Sequence, residues 1–365
     1  MKAPVRRHGS ALAAEPLVRA WYAASPTAVA TLLRPLAWAY GAVTAARRGA
    51  YRAHLLASAR MPVPVVVVGN LTAGGAGKTP LVQALVVALR ERGRRPGIVS
   101  RGYGRRTRDV RAVHVGDDAR DVGDEPLLLA ATGAPVFVGR RRAAAARALL
   151  DAHPDVDVIV ADDGLQHYAL ARDVEIAVVD AGRALGNGLL LPAGPLREPA
   201  SRLASVDALV WRSAQTPAAS RGWHAREYAM TLAIEPWRNV SDPALPFDDA
   251  LLADPTAVAI AGIADPAAFF ATLRAQGFRG ATHAFPDHHA YTHDDVAFED
   301  ARAILMTGKD AVKCAGFRDT RMWWLPLRAR VDPALVDDVL EKIDGPEAPR
   351  NARVPRHQGS ARLRS

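Results

Sequence analysis

The fold is decided by the stretch Pro62-Val-Pro-Val-Val-Val-Val-Gly-Asn-Leu-Thr-Ala-Gly-Gly-Ala-Gly-Lys-Thr-Pro80. Its first half is a β-branched apolar run that ends in glycine, which is typical of a strand buried inside a parallel sheet. Residues 72–79 then have the composition of a phosphate-binding loop, and a helix-like stretch at 81–92 follows them. Strand, glycine-rich loop and helix in this order predict a P-loop nucleotide-binding fold.

This loop supplies the candidate ATP ligands. Glycines allow backbone amides to approach phosphate oxygens, and the start of a helix adds a favourable dipole. Lys78 is expected to reach the β- and γ-phosphates, and the Thr79 hydroxyl to ligate Mg²⁺. The consensus motif has glycine at the position of Thr72. The predicted ATP-binding residues are Thr72, Ala73, Gly74, Gly75, Ala76, Gly77, Lys78 and Thr79.

Apolar runs and helix-like stretches alternate along the rest of the chain. Strand-like runs occur at 97–100, 135–138, 156–161, 174–180 and 207–211, with helix-like stretches at 81–92 and 140–150. A second series has strands at 257–263 and 303–307 and helices at 266–276 and 333–343. The pattern predicts an α/β fold, a P-loop NTPase-like, mostly parallel sheet with helices on both faces, plus a second, smaller α/β domain.

The predicted domain division follows from this alternation. It comprises an N-terminal amphipathic helical region at 1–55, a P-loop domain at 56–215, a connector at 216–250, a C-terminal α/β domain at 251–345 and a disordered basic tail at 346–365.

Charge and cysteine content limit the possible functions. The 365 residues carry a formal charge of +9, but the body between residues 11 and 344 has 39 basic and 37 acidic residues. The excess therefore lies mostly at the two ends, and no nucleic-acid partner is expected. The single cysteine, Cys314, excludes an intramolecular disulfide framework and suits a reducing compartment.

The region 27–46 is apolar but contains Arg34 and Pro35, which argues against a membrane-spanning helix. Apolar residues recur there at helical spacing, and an arginine cluster follows. Two interpretations stay open: a helix lying on an anionic membrane surface, or one packed on the protein's own core. The apolar positions are Leu32, Leu33, Leu36, Tyr40 and Val43, and the cluster is Arg47, Arg48 and Arg52.

The strand-like run at 156–161 is followed directly by Asp162 and Asp163. Carboxylates at the end of a strand that follows a P-loop suggest the Walker-B role, in which an acidic side chain holds Mg²⁺. Neighbouring strand residues point to opposite faces, so which aspartate ligates the ion stays open. The predicted metal ligands are Thr79, Asp162 and Asp163.

Several unusual strings in one order resemble the tetraacyldisaccharide 4'-kinase family. They include Ser100-Arg-Gly-Tyr-Gly-Arg105, Gly123-Asp-Glu-Pro126, Asp162-Asp-Gly-Leu-Gln-His167, Leu191-Pro-Ala-Gly-Pro-Leu-Arg-Glu198, Asp287-His288 and Met306-Thr-Gly-Lys-Asp-Ala-Val-Lys313. The resemblance covers about residues 30–340. The family usually has glutamate where this chain has Gly308.

The resemblance implies an ATP-dependent kinase that phosphorylates the 4'-hydroxyl of a tetraacyldisaccharide 1-phosphate, giving lipid IVA in lipid A biosynthesis. It implies ATP and Mg²⁺, and a peripheral location on the cytoplasmic face of the inner membrane. Asp124 matches the family's base, and His288 its histidine partner; with Lys78 they are the predicted catalytic residues. The expected substrate-binding residues are Arg101, Tyr103, Glu125, Gln166, His167, Asn187 and Arg197.

Three alternatives are compared with this interpretation; they concern the whole protein, Asp124 and a pair of histidines. A P-loop ATPase or GTPase acting as a metallochaperone or switch would need a base-specific motif, and Thr307-Gly-Lys-Asp310 has its lysine one place too late for the guanine-reading pattern. On sequence alone, Asp124 could merely cap the helix that begins near Glu125. A zinc site at His289 and His293 is disfavoured because the surrounding sequence resembles a loop.

Overall fold

The computed structural model describes residues 17–23, 25, 27–213 and 220–345. The tail predicted at 346–365 lies outside these residues. The described strands are β1 (Val65–Gly69), β2 (Pro96–Ser100), β3 (Arg111–Val113), β4 (Val136–Val138), β5 (Val158–Asp162), β6 (Val174–Asp180), β7 (Ala208–Ser213), β8 (Glu227–Ile234), β9 (Arg238–Asn239), β10 (Val258–Ala261), β11 (Ala281–Ala284), β12 (Ile304–Thr307), β13 (Met322–Leu325) and β14 (Leu327–Val331).

Helices connect most of these strands. The α-helices are labelled α1 (Ala28–Arg52), α2 (Lys78–Glu91), α3 (Ala119–Val122), α4 (Asp124–Ala130), α5 (Arg142–Ala152), α6 (Ala250–Ala253), α7 (Pro266–Ala275), α8 (Gly308–Cys314) and α9 (Pro333–Asp344). Short 3₁₀ helices lie at Ala200–Ser205, Asp294–Val296 and Ala315–Phe317.

A nine-stranded sheet, called the large sheet, has the order β14-β8-β7-β6-β1-β5-β2-β4-β3. Its strands are parallel except at the two edges, where β14 pairs antiparallel with β8 and β3 with β4. β1 lies between β5 and β6, and all five of its residues are buried. The β-branched run fits this position because both faces of the sheet are covered by apolar side chains. The predicted mostly parallel α/β fold is confirmed.

A five-stranded sheet, called the small sheet, has the order β11-β10-β12-β13-β9. Its first four strands are parallel, and only the two-residue β9 runs antiparallel. The carboxyl ends of its strands meet those of the large sheet: residues following β10, β11 and β12 contact residues of the large-sheet part of the chain. In parallel α/β sheets this edge is where ligands bind.

The structure differs from the sequence-based division at its C-terminal side. β8 falls within the predicted connector, yet it pairs in parallel with β7 in the large sheet. β14 and α9 fall within the predicted C-terminal domain, yet β14 pairs with β8 and α9 packs into the core of the large sheet. β8 lies near the edge of the large sheet, and its first residues alternate between half-buried and buried. This alternation gives the sequence the mixed polarity that is typical of a connector.

Helix α1 is packed on the protein along one face and exposed along another. Ala30 and Ala37 are buried, and the arginine Arg47 donates to the backbone oxygen of Gln166 at 3.4 Å. Two of the predicted apolar residues, Leu33 and Tyr40, are half-buried, so the predicted stripe is divided between the two faces. The exposed apolar residues of this helix are Val29, Leu32, Leu36, Trp38 and Val43. Among the described helices, none has the length and apolar character needed to cross a membrane.

Candidate active site

The phosphate loop occupies residues 70–77 between β1 and α2. Gly74 and Gly77 have φ of 100° and 91°, values that favour glycine. A Cβ added at Gly74 or Gly75 would meet no atom within 4 Å, so this side of the loop is open to a ligand. A Cβ at Gly77 would instead lie 2.5 Å from Cδ of Arg212, because the loop packs tightly against β7 there. The loop thus has one open side and one packed side.

The departure from consensus at Thr72 has a physical explanation. The side-chain amide of Asn70 donates to the Thr72 backbone oxygen at 2.8 Å and to its hydroxyl at 3.2 Å. The amide of Ala73 donates to the backbone oxygen of Pro195 at 2.7 Å. A threonine therefore supplies an extra anchor where glycine would supply only flexibility.

Lys78 is buried at the start of α2. Its ammonium group donates to Oδ1 of Asn70 at 3.0 Å and lies 3.5 Å from Oδ1 of Asp163. Asn70, which the sequence prediction missed, is fully buried and so fixes both the lysine and the loop. The signal available in the sequence was an asparagine directly after a buried strand.

Asp162 and Asp163 have different surroundings at the end of β5. Asp162 is fully buried; one oxygen accepts from the Ser100 hydroxyl at 3.3 Å, and the other has no hydrogen-bond partner among the described residues. Burial, together with the charges of Glu125 and Asp163, raises the pKa of Asp162 above its ordinary value. This orphaned oxygen is the kind of group a cation would satisfy.

Asp163 is already paired. It lies next to Lys78 and accepts from Nη1 of Arg197 at 3.2 Å through each of its oxygens. Burial opposes its ionisation, but Lys78 and Arg197 outweigh that effect and hold the pKa of Asp163 at about 2. Of the two aspartates, Asp162 is the one with an oxygen free for a further ligand.

Asp124 and His288 meet where the two sheets approach each other. Asp124 is the first residue of α4 and is 5% exposed, whereas His288 follows β11 and has a positive φ of 59°. Nδ1 of His288 lies 2.9 Å from Oδ2 of Asp124. Burial opposes ionisation of Asp124, yet the contact with His288 and the charge of Lys309 lower its pKa. The same contact raises the pKa of His288.

Two of the predicted substrate-binding residues, Tyr103 and Glu125, lie beside this pair, and a third, Arg101, lies at the same edge of the large sheet. The ring of Tyr103 is 5.0 Å from the ring of His288, and the exposed Arg101 follows β2 at the same edge of the sheet. Glu125 forms an ion pair with Lys309, the second residue of α8. The sequence prediction missed Lys309, although it lies in one of the strings that carry the family resemblance.

Gln166 and His167 lie in the loop that follows Asp162 and Asp163. Gln166 donates to the backbone oxygen of Asn70 at 3.2 Å and to Glu198 at 3.3 Å. Nε2 of His167 accepts from the backbone amide of Arg142 at 3.3 Å. Burial and the nearby Arg142 lower the pKa of His167 to about 4, so its imidazole is neutral at physiological pH.

Asn187 is not brought into this cluster. Its side chain donates to the backbone oxygens of Ala193 at 3.0 Å and Ala20 at 3.4 Å and accepts from the Leu189 amide at 3.1 Å, so its polar atoms bond within its own loop and to the N-terminal segment.

Arg142 is a buried cation that the sequence prediction did not select. Its Nη2 reaches the Asp163 backbone oxygen at 3.4 Å, and its Nε has no partner among the described residues. Burial lowers the pKa of Arg142 to about 10. Only its position at the start of a helix near the strand end could have signalled it.

The two histidines of the disfavoured zinc site, His289 and His293, contact different residues. Nε2 of His289 lies 3.1 Å from Oδ2 of Asp295, whereas the ring of His293 packs on Phe317. Within 17–23, 25, 27–213 and 220–345, no group of three or more His, Cys, Asp or Glu side chains is arranged to hold a metal.

Comparison with known proteins identifies the family to which this chain is similar. The family model described as Tetraacyldisaccharide-1-P 4'-kinase matches residues 29–344. The tetraacyldisaccharide 4'-kinase of Alkalilimnicola ehrlichii is 51% identical over 316 residues, which are 86% of this chain and 92% of that protein. The one from Methylobacillus flagellatus is 46% identical over 328 residues, 90% of this chain and 95% of that protein.

A solved structure is similar as well. The crystal structure of LpxK from Aquifex aeolicus in complex with ATP matches with a TM-score of 0.73 and 28% identity, covering 86% of this chain and 99% of that one.

Proposed function

This chain belongs to the tetraacyldisaccharide 4'-kinase family, and from that premise we propose how its residues carry out phosphoryl transfer. It is a kinase of lipid A biosynthesis that uses ATP to phosphorylate the 4'-hydroxyl of a tetraacyldisaccharide 1-phosphate. The family match over 29–344 favours this reaction over the alternative of a metallochaperone or switch. The remaining question is which side chains carry the chemistry.

The observation that carries the proposed mechanism is the 2.9 Å contact between Asp124 and His288. A sugar hydroxyl is a weak nucleophile, so a carboxylate that accepts its proton accelerates attack on phosphorus. The lowered pKa of Asp124 supports an ionised carboxylate at neutral pH. His288 orients that carboxylate through Nδ1.

The reaction balances with these groups. The 4'-oxygen forms a bond to the γ-phosphorus while the bond from that phosphorus to the β–γ bridging oxygen breaks. The hydroxyl proton passes to Asp124, and ADP leaves with the bridging oxygen. Lys78 and the loop amides of residues 74–77 stabilise the negative charge on the phosphates.

The residues present also fit Mg²⁺. The unpartnered oxygen of the buried Asp162 and the hydroxyl of Thr79 form a small oxygen donor set, and Mg²⁺ in kinases typically takes one or two protein ligands, its other positions being filled by phosphate and water. When bound, the ion neutralises charge on the β- and γ-phosphates. Asp163 would act from the side, by holding Lys78 and Arg197 in place.

The experiment that tests the function is a transfer assay with γ-labelled ATP, Mg²⁺ and the acylated disaccharide 1-phosphate. We expect the label in a bisphosphorylated glycolipid, and a Lys78→Ala variant should lower the rate by about 10² or more because it removes a charge that faces the transferred group. Release of label only as inorganic phosphate would contradict the proposal.

A second experiment tests the role of Asp124. An Asp124→Asn variant should lower kcat by about 10²–10⁴, the usual contribution of a general base, while the Kd for ATP changes by less than about twofold. Rates are measured in single-turnover experiments and Kd by calorimetry. Asp151→Asn, an exposed carboxylate on α5, is the matched control and should keep the original rate. An unchanged single-turnover rate in Asp124→Asn would mean that Asp124 has only a structural role in the first turn of α4, whose N-cap residue is Gly123.

We further propose that α1 brings the protein to the surface of the membrane that holds its substrate. Val29, Leu32, Leu36 and Val43 lie along one side of the helix and are exposed, and Arg47 and Arg52 near its end are exposed as well. An apolar side with a cationic end suits an anionic lipid surface. The cytoplasmic face of the inner membrane is the location this proposal implies.

Vesicle binding tests the proposal about α1. A Leu32→Ser/Leu36→Ser/Val43→Ser variant should bind phosphatidylglycerol-containing vesicles about tenfold or more weakly, because each lost apolar side chain contributes about 1 kcal/mol or more of burial. Val115→Ser, which alters another exposed apolar side chain outside α1, is the control for general surface change. Equal cosedimentation of the triple variant and the unmodified protein would contradict the proposal.

A further inference from the structure

A second contact joins the two sheets next to the Asp124 carboxylate. Nζ of Lys309 forms an ion pair with Oε1 of Glu125, the residue that follows Asp124 in α4. We propose that Lys309 is a positioning residue for phosphoryl transfer, which holds the first turn of α4 so that Asp124 faces His288 and the substrate hydroxyl. The inference rests on the proposed function and extends it to a residue that does not itself touch substrate.

The start of α8 is a fixed point from which Lys309 can act. The Thr307 hydroxyl caps the helix by accepting from the Asp310 amide at 3.3 Å. The buried carboxylate of Asp310 accepts from the amide of Gly262 at 3.1 Å, which ties the helix to the end of β10. The backbone at Lys309 is therefore fixed by the Thr307 cap before it and by the contact of Asp310 after it.

Close packing between the helices supports the same conclusion. A Cβ added at Gly308 would lie 3.3 Å from the ring of Trp324 and 3.5 Å from Cδ2 of Leu128, a residue of α4. The glycine at this position thus lets α8 approach α4 closely. The Lys309–Glu125 pair lies at this junction.

The pair is shielded enough for its charges to matter. The side chains of Lys309 and Glu125 are 25% and 20% exposed. Burial lowers the pKa of Lys309, but the charges of Glu125 and Asp124 outweigh it and raise the pKa above its ordinary value, so the ammonium stays charged. Removing it would leave the partly buried Glu125 without its cation, beside the buried Asp124, which is costly.

The groups that face Asp124 give Lys309 a distinct electrostatic role. His288 contacts the carboxylate directly, and Lys309 and Lys313 act on it from α8. Asp287 and the ring of Tyr103 lie against His288 from the other side. His288 loses its charge as pH rises through its pKa, whereas Lys309 keeps its charge. Lys309, which pairs directly with Glu125, therefore compensates the Asp124–Glu125 pair where His288 is neutral, with a smaller contribution from Lys313, which pairs with Asp310.

The test compares Lys309→Met, which keeps the length of the side chain without its charge, with Lys309→Arg. We expect Lys309→Met to lower kcat by about tenfold or more while the KM for ATP changes by less than about threefold, because the loss is one of orientation near the acceptor. Loss of a cation raises the pKa of Asp124, so the acid limb of the kcat profile should move to higher pH. Lys309→Arg, which keeps the positive charge, should have most of the rate of the unmodified protein.

Two further variants complete the design. Arg302→Met removes an exposed cation that pairs with Asp254, and it should keep the rate and the pH profile. In Glu125→Gln/Lys309→Met the two effects should be less than additive, because both residues act through one contact. Melting temperatures of all variants report whether each remains folded.

The outcomes separate this inference from the proposed function. If the unmodified protein makes no bisphosphorylated glycolipid, the proposed function and this inference both fail. If it does, and Lys309→Met has the same kcat and acid limb, only this inference is overturned. It is also overturned if Lys309→Met and Arg302→Met lose rate equally, or if Lys309→Arg fails to restore it.

Discussion

The arrangement depends on one constraint: the carboxyl ends of two separate parallel sheets must meet. The large sheet contributes the phosphate loop, Asp162 and Asp124, and the small sheet contributes His288 and Lys309. The contact between Asp124 and His288 joins the two edges at 2.9 Å. This contact exists only while the two sheets are in contact, so the proposed mechanism requires the packing of α8 on α4.

Three buried or partly buried aspartates of the site differ in how their oxygens are paired. Asp163 is satisfied by Lys78 and Arg197, and Asp124 is satisfied by His288. Among the buried side-chain oxygens that the structure describes, only Oδ1 of Asp162 has no hydrogen-bond partner. An unpaired buried carboxylate oxygen costs stability, and a bound cation removes that cost. The asymmetry between two adjacent aspartates therefore has a direct physical explanation.

Local patterns predicted much of the fold. The runs at 62–69 and 174–180 and the helix at 266–276 lie within a few residues of β1, β6 and α7, because each is a continuous apolar or helical pattern. The pairing of β14 with β8 was not predictable in this way, since the two strands are far apart in the sequence and β14 is mostly exposed. Asn70 and Lys309 were missed for a similar reason: their importance lies in what they contact, Lys78 and Glu125, rather than in their own pattern.

The proposed mechanism depends most on the coupling of Asp124 and His288. A ¹⁵N NMR titration of the His288 ring measures that coupling directly. The account predicts that the pKa of His288 lies above about 6.5, the ordinary histidine value, and falls in an Asp124→Asn variant, where burial is left as the dominant influence. A His288 pKa at or below the ordinary value, unaffected by the Asp124→Asn change, would contradict it.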